Sequence, residues 1–233
     1  MLSHRAGSML LALALVAGPG LAACTGGSGE SAPDLLARAK KVLDSATSVH
    51  FVLTSEKAPH TGTGLLGGEG DVVRPASFKG TLQVLAAGTS VDVKVISVGD
   101  TVYAQLPFTT GFSVVDPAQF GVGNPADVLD PKAGISQFLE FATSPKLGDD
   151  RRVAGEVVRE VTAQIPGDLV EQVLTSKDRK QSVDAVFDIA ADSGELRRAQ
   201  LTGPFFAADA DATYTIELSH FGADVQITAP PTG

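Results

Sequence analysis

The residues of this chain that could do chemistry are few. Cys24 is the single cysteine among 233 residues, so it has no internal disulfide partner. A lone thiol in an exported protein asks for a covalent role of its own. His50, His60 and His220 are scattered, with no H-x-x-x-H spacing and no cysteine or carboxylate cluster that would suggest a metal site. No G-x-S-x-G elbow is present. Gly62-Thr63-Gly64-Leu65-Leu66-Gly67 matches G-x-G-x-x-G. A dinucleotide site needs a helix straight after such a loop, so that its N-terminus faces the pyrophosphate. Here Gly68, Gly70 and Val72-Val73-Arg74-Pro75 follow. A mobile hairpin loop is the expectation. No cofactor, metal or catalytic residue is expected, and the chain does not read as an enzyme.

The setting of Cys24 gives it a role. Arg5 makes a short positive start, Met9 to Ala17 form an uncharged apolar run, and Gly18-Pro19-Gly20 break it. The run is shorter than the roughly 20 residues that span a bilayer and has the length of a signal-peptide core. Leu21-Ala22-Ala23-Cys24 resembles the lipobox of bacterial lipoproteins, in which the cysteine is acylated and the chain cut just before it. Residues 1–23 are therefore expected to be a signal peptide and 24–32 a lipidated flexible tether, rich in glycine and serine. The protein is expected outside the cytoplasm, on the outer face of the cell membrane, with palmitate-type lipid on Cys24 as its anchor.

Removing those 23 residues takes away one of 18 basic residues and none of the 27 acidic ones, leaving 210 residues and a charge of −10. Such a chain is a poor nucleic-acid ligand, which needs clustered Lys and Arg. It also gains nothing from anionic headgroups, so the attachment must come from lipid.

The elements that must position any site follow from periodicity. Leu35, Leu36, Ala39, Val42 and Leu43 share one face of a helix predicted over Pro33–Ala46. From Val49 the period becomes two: Val49/Phe51/Leu53, Leu82/Val84, Val91/Val93/Val95, Val183/Ala185/Phe187/Ile189 and Tyr214/Ile216/Leu218, with Val225/Ile227 as a last strand. Gly88, Gly99-Asp100 and Ser193-Gly194 read as hairpin turns, so the sheet is mainly antiparallel. Further helices are predicted over Pro131–Thr143 and Pro166–Thr175, with a loop from Pro107 to Pro131. Ten to twelve strands and three helices without an internal linker make one α+β domain, residues 33–233. Asp149-Asp150-Arg151-Arg152 and Arg197-Arg198 read as solvated strand ends, or as a rim for anionic or sugar headgroups.

These features in order resemble the LppX/LprA/LprF/LprG lipoproteins of actinobacteria. The likeness runs from the lipobox through Ser48–Leu53, Gly99–Ala104, Asp130–Ile135 and Leu218–Gly222 to the Pro230-Pro231 tail. It implies a strongly curved antiparallel half-barrel with helices over the concave face, similar to the periplasmic lipoprotein carriers. It also implies an apolar cavity that takes acyl chains of a lipid or glycolipid, and a membrane lipid exporter as a possible partner. The cavity candidates are Leu82, Val84, Val91, Val93, Phe138, Leu139, Leu169, Val173, Phe187, Ile189, Tyr214 and Ile216. Leu82, on the strand that aligns with the relatives' cavity wall, is the foremost. Periodicity alone fits a fully packed core equally well. Two functions are thus expected: a cell-envelope lipid carrier, or a lipid-anchored scaffold with a filled core.

Overall fold

A computed structural model describes residues 29–58, 62–86, 88–120, 122–153 and 155–232. Cys24, His60 and the whole signal segment lie outside them. The chain opens with helix α1, Ala32–Ser45. The Ser31 hydroxyl accepts from the Asp34 N–H at 3.3 Å, and Pro33 and Asp34 occupy the first turn, as helix starts favour. Leu35, Leu36, Ala39 and Leu43 are buried, the apolar stripe the spacing predicts. At the other end the Arg74 guanidinium donates to the carbonyls of Ala46 (2.8 Å) and Leu43 (3.3 Å), groups a helix end leaves unpaired.

Eleven strands follow: β1 Ser48–Glu56, β2 Gly64–Val73, β3 Ser77–Ala86, β4 Thr89–Val98, β5 Thr101–Gln105, β6 Ser113–Val115, β7 Thr143–Val153, β8 Glu156–Ile165, β9 Val183–Ala190, β10 Leu196–Ala207 and β11 Ala210–Ser219. They form one antiparallel sheet in the order β6-β5-β4-β3-β2-β1-β11-β10-β9-β8-β7. Apart from β1 beside β11, neighbours in the sheet are neighbours in sequence. The consequence for function is topological. β6 and β7 are the two edges, so the chain between them must cross the full width of the sheet. It does so as two short 3-10 helices, Pro117–Phe120 and Pro125–Leu129, and helix α2, Ser136–Glu140. Pro125–Leu129 packs on β2, β3 and β4, and α2 packs on α1. Helix α3, Gly167–Val170, touches α2. The crossing segment therefore roofs the apolar concave face of a half-barrel.

Several expectations need correction. Only the start of Gly62–Gly67 is hairpin loop: Gly62 and Thr63 lie in the β1–β2 connection and line a cavity, whereas Gly64 begins β2, and no helix follows the glycine motif. The inward positions of β2 and β3 include Gly70 and Gly80, opposite each other. A Cβ on Gly80 would lie 2.1 Å from the Glu69 carbonyl oxygen, and one on Gly70 would lie 2.5 Å from the Phe78 ring. Phe78 lies over this bare stretch and stacks on Phe51 at 5.6 Å between centroids. The predicted helix over 131–143 shortens to Ser136–Glu140. The Asp130 carboxylate accepts from the N–H groups of Lys132 (2.7 Å) and Ala133 (3.0 Å), which holds Pro131–Ile135 in turns. The predicted helix over 166–175 is helical only at Gly167–Val170 and continues as turns to Leu174. Val225 and Ile227 form no strand. Both ladders of β11 are already taken, by β1 and β10. The tail instead runs on until Thr232 bridges Phe112 beside the short edge strand β6.

The charge runs do sit near strand ends, but they are not merely solvated. Asp149, Asp150, Arg151 and Arg152 occupy the last part of β7, which ends at Val153, and Arg197 and Arg198 are the second and third residues of β10. On the face away from the roof, Arg198 donates to the Asp188 carboxylate at 2.6 Å, and Arg151 donates to its other oxygen. Asp188 is buried between them.

Candidate functional site: an apolar cavity under the crossing segment

The roof does not fill the concave face. A cavity of about 110 Å³ is walled by Phe51 and Leu53 of β1, Leu65 of β2, Leu82 of β3 and Ile216 of β11. Its roof is Val122–Pro125 and Val128 of the crossing segment, with Val173 and Leu174 after α3. At Leu65, Val122, Val173 and Leu174 it adjoins a wider chamber of about 500 Å³ that runs to Gly64, Phe205, Phe206 and Tyr214. At Leu82, Val122 and Pro125 it adjoins a narrower space of about 40 Å³ between Val84, Val93, Val95 and Val102 on the sheet and Leu106, Val115 and Pro117 at its edge. The two smaller spaces form one apolar run along the concave face, and the chamber beside them has a mixed wall in which Thr63, Gln119 and Lys177 join the aromatic rings. The chamber alone is of the size of small-molecule sites, about 300–1,000 Å³.

A depression of about 580 Å³ lies on the opposite face, around Thr54, Glu69, Thr81, Gln83 and Asp92. It is larger than the chamber, but it lies open to solvent, and Leu53 is the one buried apolar side chain in its wall. The concave run is the stronger candidate for an apolar ligand.

Polar groups near the 110 Å³ cavity are occupied or sit at its rim. Asn124 donates to the Gly99 carbonyl at 2.9 Å, and its own side-chain carbonyl accepts from the Ala126 N–H at 3.1 Å, starting the 3-10 helix. Partial burial, with Asp130 and Asp100 nearby, raises the Asp127 carboxyl above its ordinary range. Among the described residues no group of His, Cys, Asp and Glu could hold a metal ion, and no helix is long and apolar enough to cross a membrane. His50 pairs with Asp71 at 2.9 Å and His220 packs edge-on to it, away from the cavity walls.

Of the residues named from sequence, Leu82 lines two of the three spaces, as does Val173; Val84 and Val93 line the narrow one, Ile216 the middle one and Tyr214 the chamber. Phe138, Leu139, Phe187 and Ile189 are instead buried in the packed core. Val91 and Leu169 are partly buried against that core. Sequence reasoning passed over Val122, the one side chain common to all three spaces. It lies in a Gly- and Pro-rich stretch with no periodicity to mark it. The only available signal was its place between strands that proved to be opposite edges.

The family model for LppX_LprAFG lipoproteins matches residues 31–227. This chain belongs to that family. A search of curated proteins returns no match. Among solved structures, LprF from Mycobacterium bovis superposes with a TM-score of 0.72 at 21% identity, covering 88% of this chain and all of that one. The Mycobacterium tuberculosis lipoprotein LppX superposes with a TM-score of 0.63 at 20% identity, covering 85% of this chain and all of that one. At these identities the likeness concerns the fold: this family member has the α+β architecture of both.

Proposed function

We propose that this lipoprotein binds the acyl chains of a lipid or glycolipid in the concave cavity and carries them between the cell membrane and the outer envelope. In this reading Cys24 is acylated and holds the protein at the outer face of the membrane, and a membrane lipid exporter loads it. The observation that carries the reading is the unfilled space between sheet and roof, an apolar run that adjoins a wider chamber of mixed lining. Interiors are normally packed with few voids larger than a water molecule, so a scaffold with a filled core has no need of that space. The energetics suit a carrier. A sixteen-carbon chain in water costs on the order of 12 kcal/mol at about 0.8 per methylene. The bilayer already shields it, so the protein need only offer a second dry environment that lowers the barrier to leaving. The test is mass spectrometry of organic extracts from purified Cys24→Ala protein. Acyl lipid at near-stoichiometric amounts is expected; protein that is folded and lipid-free after exposure to cell lipids would favour the scaffold.

A further inference from the structure

The connection between β5 and β6 holds an aromatic ring out in water. Phe108 is fully exposed, at 107% of its reference area. Its backbone sits at φ 70°, a region a bulky residue adopts only at a cost. The turn is closed rather than slack. The Thr109 N–H and hydroxyl both donate to the Leu106 carbonyl, at 3.1 and 2.8 Å, and the Gln105 amide donates to the Thr109 carbonyl at 3.2 Å. Leu106 is itself 41% exposed and also lines the narrow end of the cavity, with Val115 and Pro117. From Thr101 to Val115 no residue is charged, although 19% of the chain is.

We propose that this loop is a membrane-contacting lip: Phe108 and Leu106 enter the boundary between headgroups and acyl chains of a lipid layer and bring the cavity wall against it. The inference extends the lipid-binding reading and rests on it for the purpose of the contact. Three observations select a lipid layer as the occupant. A ring that stands clear of its neighbours suits a fluid medium, which needs no preformed groove. The uncharged stretch can leave water without desolvating an ion. Leu106 belongs to both the exposed tip and the cavity wall, so an acyl layer touching the tip would be continuous with the apolar run. Val114 on β6, also exposed, belongs to the same uncharged stretch, whereas Leu147 and Val153 lie on β7 among Lys146, Asp149, Asp150, Arg151 and Arg152.

The protein contains no tryptophan, so one introduced indole reports alone. Phe108→Trp and Leu147→Trp are made separately in the Cys24→Ala chain and titrated with neutral phosphatidylcholine vesicles. The indole at 108 is expected to shift its emission to the blue and to be quenched by brominated acyl chains, while the one at 147 stays unchanged. Phe108→Asp should weaken vesicle partitioning about tenfold or more, the effect of losing one buried ring, with melting temperature and co-purified lipid as in wild type. No shift at 108, or equal shifts at both positions, overturns the proposal. A shift at 108 that needs no vesicles and grows with protein concentration also overturns it, in favour of a second copy covering the loop. A vesicle-dependent shift at 108 in protein that never carries lipid supports the contact and overturns the cavity reading, so the two failures are distinguishable.

Discussion

The phenol of Tyr214 on β11 donates a hydrogen bond to the carbonyl of Leu65 on β2, across the intervening strand β1. Leu65 stands where the β2–β3 register shifts, between Leu65 and Gly67. The phenol thus ties an irregular point of the sheet to the chamber wall. Phe205 packs edge-on to the ring at 4.9 Å and Phe206 lies beside it at 5.6 Å. Tyr214→Phe keeps the ring and removes the donor. It should cost about 0.5–1.5 kcal/mol, the net worth of one hydrogen bond to a half-buried carbonyl, read as a lower denaturant midpoint with unchanged slope.

The same residue gives a pH dependence. Burial pushes the Tyr214 hydroxyl above the ordinary phenol value. Above about pH 10 the unfolded phenol releases its proton while the folded one keeps it, so the unfolded state binds fewer protons and stability falls as pH rises. Below that pH both forms are protonated and this contribution is fully present. The wild-type melting temperature should therefore fall more steeply than that of Tyr214→Phe above about pH 10. Parallel curves would show that the phenol titrates alike in both states.

Leu82 faces two of the three spaces. In a close-packed site, Leu82→Trp would overpack and cost about 1–3 kcal/mol. Here the indole has space to enter, so stability should change little while co-purified lipid falls sharply. Melting curves and lipid mass spectra of the two proteins check this. A large loss of stability with no lipid in either protein would favour the scaffold reading.

Gly80→Ala tests the bare inner stretch of the sheet. The added methyl would meet the Glu69 carbonyl oxygen at 2.1 Å and the Phe78 ring at 2.6 Å. Phe78 could turn, but the backbone carbonyl can move only by opening the β2–β3 ladder. A loss of about 1–3 kcal/mol or more is expected, measured by urea denaturation. Near-neutral stability would mean that the sheet tolerates separation at this point.

Cys24→Ala should abolish acylation and move the protein from membrane to soluble fractions. The anchor depends on two or more acyl chains, since one chain alone binds marginally. A variant that kept both its membrane association and its acyl mass would show that the lipobox has been misread.

The sequence by itself determined the local elements whose cause is local. The stripe of α1, its Ser31 and Pro33 start, the alternations through Leu53, Val93, Phe187 and Ile216, and the turns at Gly88, Gly99 and Gly194 are all consequences of side-chain periodicity and backbone freedom. The resemblance built on those elements named the family and the fold class. It could not tell a core position from a cavity position: Phe187 and Leu82 alternate alike, yet one is sealed in packing and the other faces open space. That difference depends on what lies opposite each residue across the sheet. Tertiary structure alone decided it, through the pairing of β1 with β11. That pairing makes β6 and β7 the two edges and forces the segment between them over the concave face. It placed Val122 at the junction of three spaces and left no ladder for Val225 and Ile227, while the ladders to β1 and β3 made a strand of the glycine-rich β2. None of this is encoded in a window of neighbouring residues: the β1–β11 pairing joins residues more than a hundred and fifty positions apart, and Val122 meets side chains as far away as Leu65 and Val173.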